Sequence, residues 1–257
     1  MLLSEEKIAL FDFCDTMISF QSADAYVRYV KAHVHNSARM LFLEGIRGFL
    51  SKSRIMRILQ KFSREGSINK KMLLTQLKGL SFLKMNELAE GFYREMIRPN
   101  YIPEVISEVK RHKQEGCRLF IVSGGYDVYL KYVADEFGFE DYIATRLDFQ
   151  EGKFTGRYKG EDCMNNTKIK LLKEYFGREN LKTCDSIAYS DSKSDIPLLK
   201  YCRRGVVVQK AQCPPPSTSN YSSMTGLMRM ALRCCHGKNS SQHQTSLRKG
   251  LLFTYIC

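Results

Sequence analysis

Four short apolar runs limit what this chain can become. They are Ile8-Ala9-Leu10-Phe11-Asp12-Phe13, Arg118-Leu119-Phe120-Ile121-Val122-Ser123, Ser186-Ile187-Ala188-Tyr189-Ser190 and Gly205-Val206-Val207-Val208. Each reads as a short strand buried on both faces, the habit of a parallel sheet. The first delivers Asp12 to its end, the second meets Gly124-Gly125, and the third stops at Asp191. Helical spacing fills the intervals at Val105 to Glu115, Val128 to Phe137 and Lys168 to Phe176, closed by Gly116, Gly138 and Gly177.

Strand and helix therefore alternate, which predicts an α/β fold: a Rossmann-like, doubly wound parallel sheet with helices on both faces. Such sheets bind ligands at the carboxyl ends of their strands. The stretch Tyr142 to Tyr158, with Glu151-Gly152-Lys153 at its middle, predicts a hairpin leading into the Lys168 helix. From about Ser22 to Arg98 the pattern changes to apolar spacing of three and four, as in Ala25-Tyr26-Tyr29-Val30 and Ile55-Ile58-Leu59-Phe62, with no β-rich run. Residues 21–98 are thus expected to form an inserted α-helical cap, a lid over the strand that carries Asp12. The α/β core is then 1–20 plus 99–208.

Residues 209–257 break with the rest. They hold Pro214-Pro215-Pro216, a Ser/Thr/Asn run, paired Cys234-Cys235, six basic residues and no acid. They read as a disordered tail or an atypical terminus, apart from a short helix at Met224 to Leu232. This tail also inflates the formal charge of +13. Without an interleaved aromatic motif or a helix-turn-helix pattern, that charge does not argue for nucleic acid. No run is long enough for a membrane helix. The start, Met1-Leu2-Leu3-Ser4-Glu5-Glu6-Lys7, lacks a basic n-region and a cleavage site, so the expectation is a cytoplasmic protein. The nine cysteines show no CxxC pair and no Cys/His cluster, which supports neither a disulfide framework nor a zinc site.

Four elements stand at strand or helix ends in order: Asp12-Phe13-Cys14-Asp15-Thr16, Ser123-Gly124-Gly125, Lys168, and Ser190-Asp191-Ser192-Lys193-Ser194-Asp195. Singly each reads as a cap, a turn or a solvated residue. Together, with a lid-sized insert after the first, they resemble the haloacid dehalogenase superfamily over about residues 8–208. Ser123-Gly124-Gly125-Tyr126-Asp127 and the helical cap look most like its phosphoserine-phosphatase-like branch.

That resemblance implies a phosphatase in which Asp12 attacks phosphorus. It implies Mg²⁺ held by Asp12, the backbone carbonyl of Cys14 and Asp191, with Asp195 positioning the metal's waters or Lys168. Ser123, its neighbour Gly124 and Lys168 would take the phosphoryl oxygens, and Thr16 would tie down the loop. An anionic nucleophile and a phosphate dianion need a cation between them, and hard oxygen ligands suit Mg²⁺. The expected partner is a small phosphorylated metabolite.

Two departures bear on chemistry. The family usually has aspartate two residues beyond the nucleophile as acid and base; here that position is Cys14, and Asp15 follows. A thiol is a poor proton donor to an alkoxide at neutral pH. Asp15 then reaches the leaving group from a shifted loop, or the substrate leaves without an acid, or turnover is weak. The glutamate that meets the substrate ammonium in phosphoserine phosphatases is Gln21 here, which disfavours phosphoserine. Arg28, Arg39, Arg47, Arg54 and Arg57 of the cap contact a second anion or face solvent. A phosphotransferase or mutase using the same Asp12 chemistry, and a weakly active binding protein on this fold, stay as alternatives.

Overall fold

The computed structural model describes residues 6–34 and 68–210, with the backbone of Thr245–Arg248 and Leu251–Ile256. Five strands run parallel in the order β3-β2-β1-β6-β7: β1 (Lys7–Phe11), β2 (Arg118–Tyr126), β3 (Asp141–Thr145), β6 (Asp185–Ser190) and β7 (Arg204–Lys210). Strand β1 is central, with Phe11 opposite Ile121 on one side and Tyr189 on the other. Its alternate residues feed two cores. Ala9 and Phe11 join Val105 and Val109 of α4 (Pro103–Gln114) and Leu130 and Val133 of α5 (Asp127–Phe137). Ile8 and Leu10 join Leu172 of α6 (Asn166–Phe176) and Leu198 of α7 (Ile196–Tyr201). That division is why the runs are apolar throughout, and it makes the sheet doubly wound as expected. Gly138 and Gly177 end α5 and α6 at φ of +65° and +62°, a left-handed backbone that suits glycine.

Helix α1 (Ser22–His33), α2 (Ile68–Thr75) and α3 (Phe82–Phe92) follow β1. Tyr26, Val27, Leu73, Leu77, Met85 and Phe92 share one apolar cluster with Phe13, Met17 and Tyr129. Among the described residues the inserted helices thus pack onto the same core as one face of the sheet. A π-turn (Tyr93–Ile97) and a 3-10 turn (Arg98–Asn100) lead back to α4. The expected Ile55-Ile58-Leu59-Phe62 face and Arg39, Arg47, Arg54 and Arg57 lie outside the described residues. Arg28 is exposed. Among the described residues no helix is long and apolar enough to cross a membrane.

The structure corrects the expectations for the hairpin and for the tail. The hairpin is shorter than Tyr142 to Tyr158: Asp141–Thr145 is the edge strand of the parallel sheet. The hairpin itself is β4 (Leu147–Gln150) with β5 (Lys153–Tyr158), antiparallel around Glu151 and Gly152, both with positive φ. That hairpin also joins the inserted segment, through Gly79 N–H to Phe154 O, Phe154 N–H to Leu80 O and Phe82 N–H to Gly152 O, each 2.8 Å. The tail, expected to lack regular structure, contributes β8 (Thr245–Arg248) and β9 (Leu251–Ile256), β9 pairing antiparallel with β7. A parallel sheet edge leaves unpaired N–H and C=O groups, and a returning strand satisfies them. The expected helix at Met224 to Leu232 lies outside the described residues.

Beneath the sheet, His112 is 1% exposed, and its Nε2 lies 2.8 Å from the Tyr189 hydroxyl and 2.9 Å from the Arg111 guanidinium. Tyr189 stacks on Phe11 at 4.7 Å between ring centroids. His112, Glu115 and Cys117 come within 4.8 Å of one another, so a cysteine and a histidine do gather, contrary to expectation. Arg111 donates to Glu115 at 2.6 Å there. Burial, then Arg111, pushes the His112 imidazole down to about 4. The native state therefore takes its proton less readily than the unfolded chain, whose histidine titrates near ~6.5. This group's contribution is complete above that pH and is lost as pH falls toward 4, on the order of 3 kcal/mol at most. Melting temperature should fall between pH 6.5 and 4.5 more steeply in the wild type than in His112→Gln. Equal slopes would show that His112 does not set this acid sensitivity.

Candidate active site

The turn after β1 starts at Asp12, whose N–H still bonds Tyr189 O at 2.9 Å, and closes with Met17 and Ile18 N–H on Phe13 O. Asp15 takes φ of +57° within it, a left-handed conformation costly for a residue with a Cβ. The turn presents Asp12 and Thr16 at the carboxyl end of the sheet. Strand β6 ends beside them at Ser190-Asp191, and α6 brings Lys168 on its first turn.

These side chains form one network. Lys168 Nζ donates to Asp12 Oδ1 and to Asp195 Oδ2, both at 2.7 Å, and all three residues are buried. Ser190 Oγ donates to the same Asp195 oxygen at 2.9 Å. The Thr16 hydroxyl faces Asp12 Oδ2 at 3.1 Å and Asp191 Oδ1 at 3.0 Å, and it accepts the Asp191 N–H at 3.0 Å. Burial raises Asp12 to about 6; Lys168 opposes the rise, while Asp195 and Asp191 add to it. Burial also raises Asp191. For Lys168 burial pulls downward, but Asp12 and Asp195 outweigh it and hold the ammonium above the usual lysine range.

Asp12 and Asp195 share one ammonium, and Asp191, reached through the Thr16 hydroxyl, adds a third carboxylate, so the cluster has excess negative charge. Asp12 and Asp191 converge on one hydroxyl, and every donor there is a hard oxygen. That set fits Mg²⁺, which favours oxygen ligands.

The remaining expected residues are arranged differently. Ser123 is buried at the end of β2, and its Oγ accepts the Gly125 N–H at 2.9 Å. Strand β2 runs on through Gly124 and Gly125 to Tyr126 with a register shift, where a turn after Ser123 was expected. The Gly124 carbonyl is held by Lys70 and Thr145. Cys14 Sγ turns to Ser22, 3.1 Å from its hydroxyl and accepting its N–H at 3.3 Å. Ser22 Oγ is 2.7 Å from the Tyr129 hydroxyl. Burial, then Asp12, pushes the Cys14 thiol up to about 11, so it is protonated at neutral pH. Gln21 is exposed, and its amide donates to the Asp15 carboxylate. The structure thus gathers Asp12, Thr16, Lys168, Asp191 and Asp195. It pairs Asp15 with Gln21 beside them.

Sequence reasoning missed Ser190 as the partner of Asp195, although it ends a run already singled out. It also missed Ser22 and Tyr129, which fix Cys14, and Lys70, Thr145 and Asp162, which surround Gly124. These contacts join residues far apart in the chain, and no local spacing announces them.

A family model described as haloacid dehalogenase-like hydrolase matches residues 9–200. The phosphoserine phosphatase of Methanocaldococcus jannaschii is 26% identical over 214 residues, 80% of this chain and 90% of that protein. The histidinol-phosphatase of Neisseria meningitidis serogroup C is 26% identical over 216 residues, 79% of this chain and 90% of that one. Among solved structures, a Bordetella pertussis Tohama I protein with unknown function superposes with a TM-score of 0.67 at 22% identity, over 90% of this chain and 96% of that one. A phospho-aspartyl intermediate analogue of phosphoserine phosphatase gives 0.50 at 22% identity, over 79% and 86%. Both superpositions show a shared fold. With the family model spanning most of the chain, the protein belongs to the haloacid dehalogenase-like hydrolases.

Proposed function

We propose that this protein is a Mg²⁺-dependent phosphatase that hydrolyses a small phosphomonoester through a phosphorylated Asp12. The observation that carries this reading is Asp12 itself, a buried carboxylate at a central strand end, oriented by Lys168 on one oxygen and Thr16 on the other. The curated relatives named phosphoserine phosphatase and histidinol-phosphatase support the reaction class.

Asp12, Asp191 and the Cys14 backbone carbonyl would hold Mg²⁺, which neutralises charge on the phosphoryl group when bound. The chain's own residues do the rest. Lys168 keeps Asp12 ionised and aimed, and Asp195 with Ser190 fixes Lys168. Ser123 and the Gly124 backbone receive the phosphoryl oxygens. An Asp12 oxygen forms a bond to phosphorus while the ester oxygen leaves, and that oxygen takes a proton to become the alcohol. Water then attacks phosphorus, gives up a proton, and Asp12 is regenerated.

The protonated Cys14 thiol, pinned by Ser22, is not the acid for that leaving group. Asp15 gives and takes the proton, the first carboxyl beyond the nucleophile and placed by Gln21. A neutral Gln21 cannot itself form the ion pair that a glutamate would make with a substrate ammonium, so small esters other than phosphoserine are favoured.

Inorganic phosphate release with Mg²⁺, across alkyl phosphates and an aryl phosphate, tests the reading. Asp12→Asn should lose activity by about 10³-fold or more, and a chelator should abolish it. No release from any ester by folded protein with Mg²⁺ present would overturn the phosphatase and favour a binding protein.

Asp15→Asn separates the proton step from the rest. It should lower kcat/KM on alkyl phosphates by about 10²-fold and on the aryl phosphate, whose leaving group needs no acid, by a few-fold at most. Losses within about twofold on both classes would remove Asp15 from proton transfer.

A further inference from the structure

Lys70, on α2 of the inserted segment, reaches across to the core. Its ammonium is nearly buried and donates to the Gly124 carbonyl at 2.7 Å and to Asp162 Oδ1 at 2.6 Å. It also faces the rings of Tyr126 and Tyr158, 5.4 and 5.6 Å from their centroids. Thr145 supports the same point, 2.7 Å from Asp162 Oδ1 and 3.2 Å from the Gly124 carbonyl. Asp162 Oδ2 is buried with no partner among the described residues, so its carboxylate depends on the groups around Oδ1.

A peptide unit is planar, so the direction of the Gly124 carbonyl dictates that of the next N–H. That N–H belongs to Gly125 and donates to Ser123 Oγ at 2.9 Å. Two adjacent glycines would otherwise let this peptide rotate at little cost. We propose that Lys70 is a positioning residue: by holding the Gly124 carbonyl it sets the Gly124–Gly125 peptide, and through it the Ser123 hydroxyl, for phosphoryl binding. Because Lys70 comes from the inserted helices, the end of β2 reaches its final geometry only with those helices seated. This rests on the phosphatase reading for the identity of the bound group.

The test uses full-length protein with Mg²⁺, titrated with inorganic phosphate by calorimetry and assayed on an aryl phosphate. Lys70→Met should weaken phosphate binding and lower kcat/KM by about tenfold or more, and Lys70→Arg should recover most of both. Removing Lys70 strands the buried Asp162 charge, so stability is controlled by the double variant Lys70→Met with Asp162→Asn. It should regain melting temperature without regaining phosphate affinity. Folded Lys70→Met or double variant that binds phosphate within about twofold of wild type would overturn the proposal. Wild-type protein that binds phosphate but hydrolyses no ester would defeat the phosphatase reading alone; weaker phosphate binding by Lys70→Met would then still support this role.

Discussion

The Lys168 ammonium, 2.7 Å from both Asp12 Oδ1 and Asp195 Oδ2, lets three carboxylates crowd at one end of the sheet. Removing a carboxylate from water favours its protonated form, and a second carboxylate beside it does so again. Both effects are visible in the rise of Asp12 to about 6. Lys168 opposes them from a helix start whose own position is set by Leu172 in the core below. Charge compensation is therefore partial, which leaves excess negative charge among hard oxygen donors at this end of the fold.

The turn after β1 is shaped by the same demand. Asp12 and Thr16 must both face the network, and the chain between them must reverse within three residues. Asp15 absorbs that reversal in a left-handed conformation that glycine would adopt without strain. Cys14, in contrast, is turned into a small polar niche of Ser22 and Tyr129 and is neutral there. Side-chain direction, more than sequence position, separates the two.

How much was legible follows from the range of the forces involved. The doubly wound sheet was, because strands buried on both faces must be apolar throughout, and Ile8–Phe11 and Phe120–Val122 are. Asp12, Lys168, Asp191 and Asp195 each read alone as a cap or a solvated residue and stand out only through the family resemblance of the ordered set; the structure brings their side chains together. Asp141–Thr145 was folded into a hairpin because it is an edge strand, polar at its start and half-buried. Strand β9 was missed because its pairing with β7 joins segments about forty residues apart. Lys70 and Asp162 lie 92 residues apart, and a lysine on a helix has no local mark to distinguish it from a solvated one.

The hairpin and the inserted helices are best understood together. Backbone hydrogen bonds tie Gly79 and Leu80 to Phe154, and Phe82 to Gly152, so the loop between α2 and α3 continues the hairpin's edge. The hairpin is flanked in the chain by Thr145, which donates to the Gly124 carbonyl and to Asp162, and by Asp162, which accepts from Lys70. A displacement of α2 therefore pulls on the hairpin through the backbone and on Gly124 through Lys70. Seating of the inserted helices and geometry of the Ser123-Gly124-Gly125 end of β2 are thus set by one group of contacts. A basic residue of the inserted helices thereby bears on the backbone beside Ser123 through the Gly124 carbonyl alone.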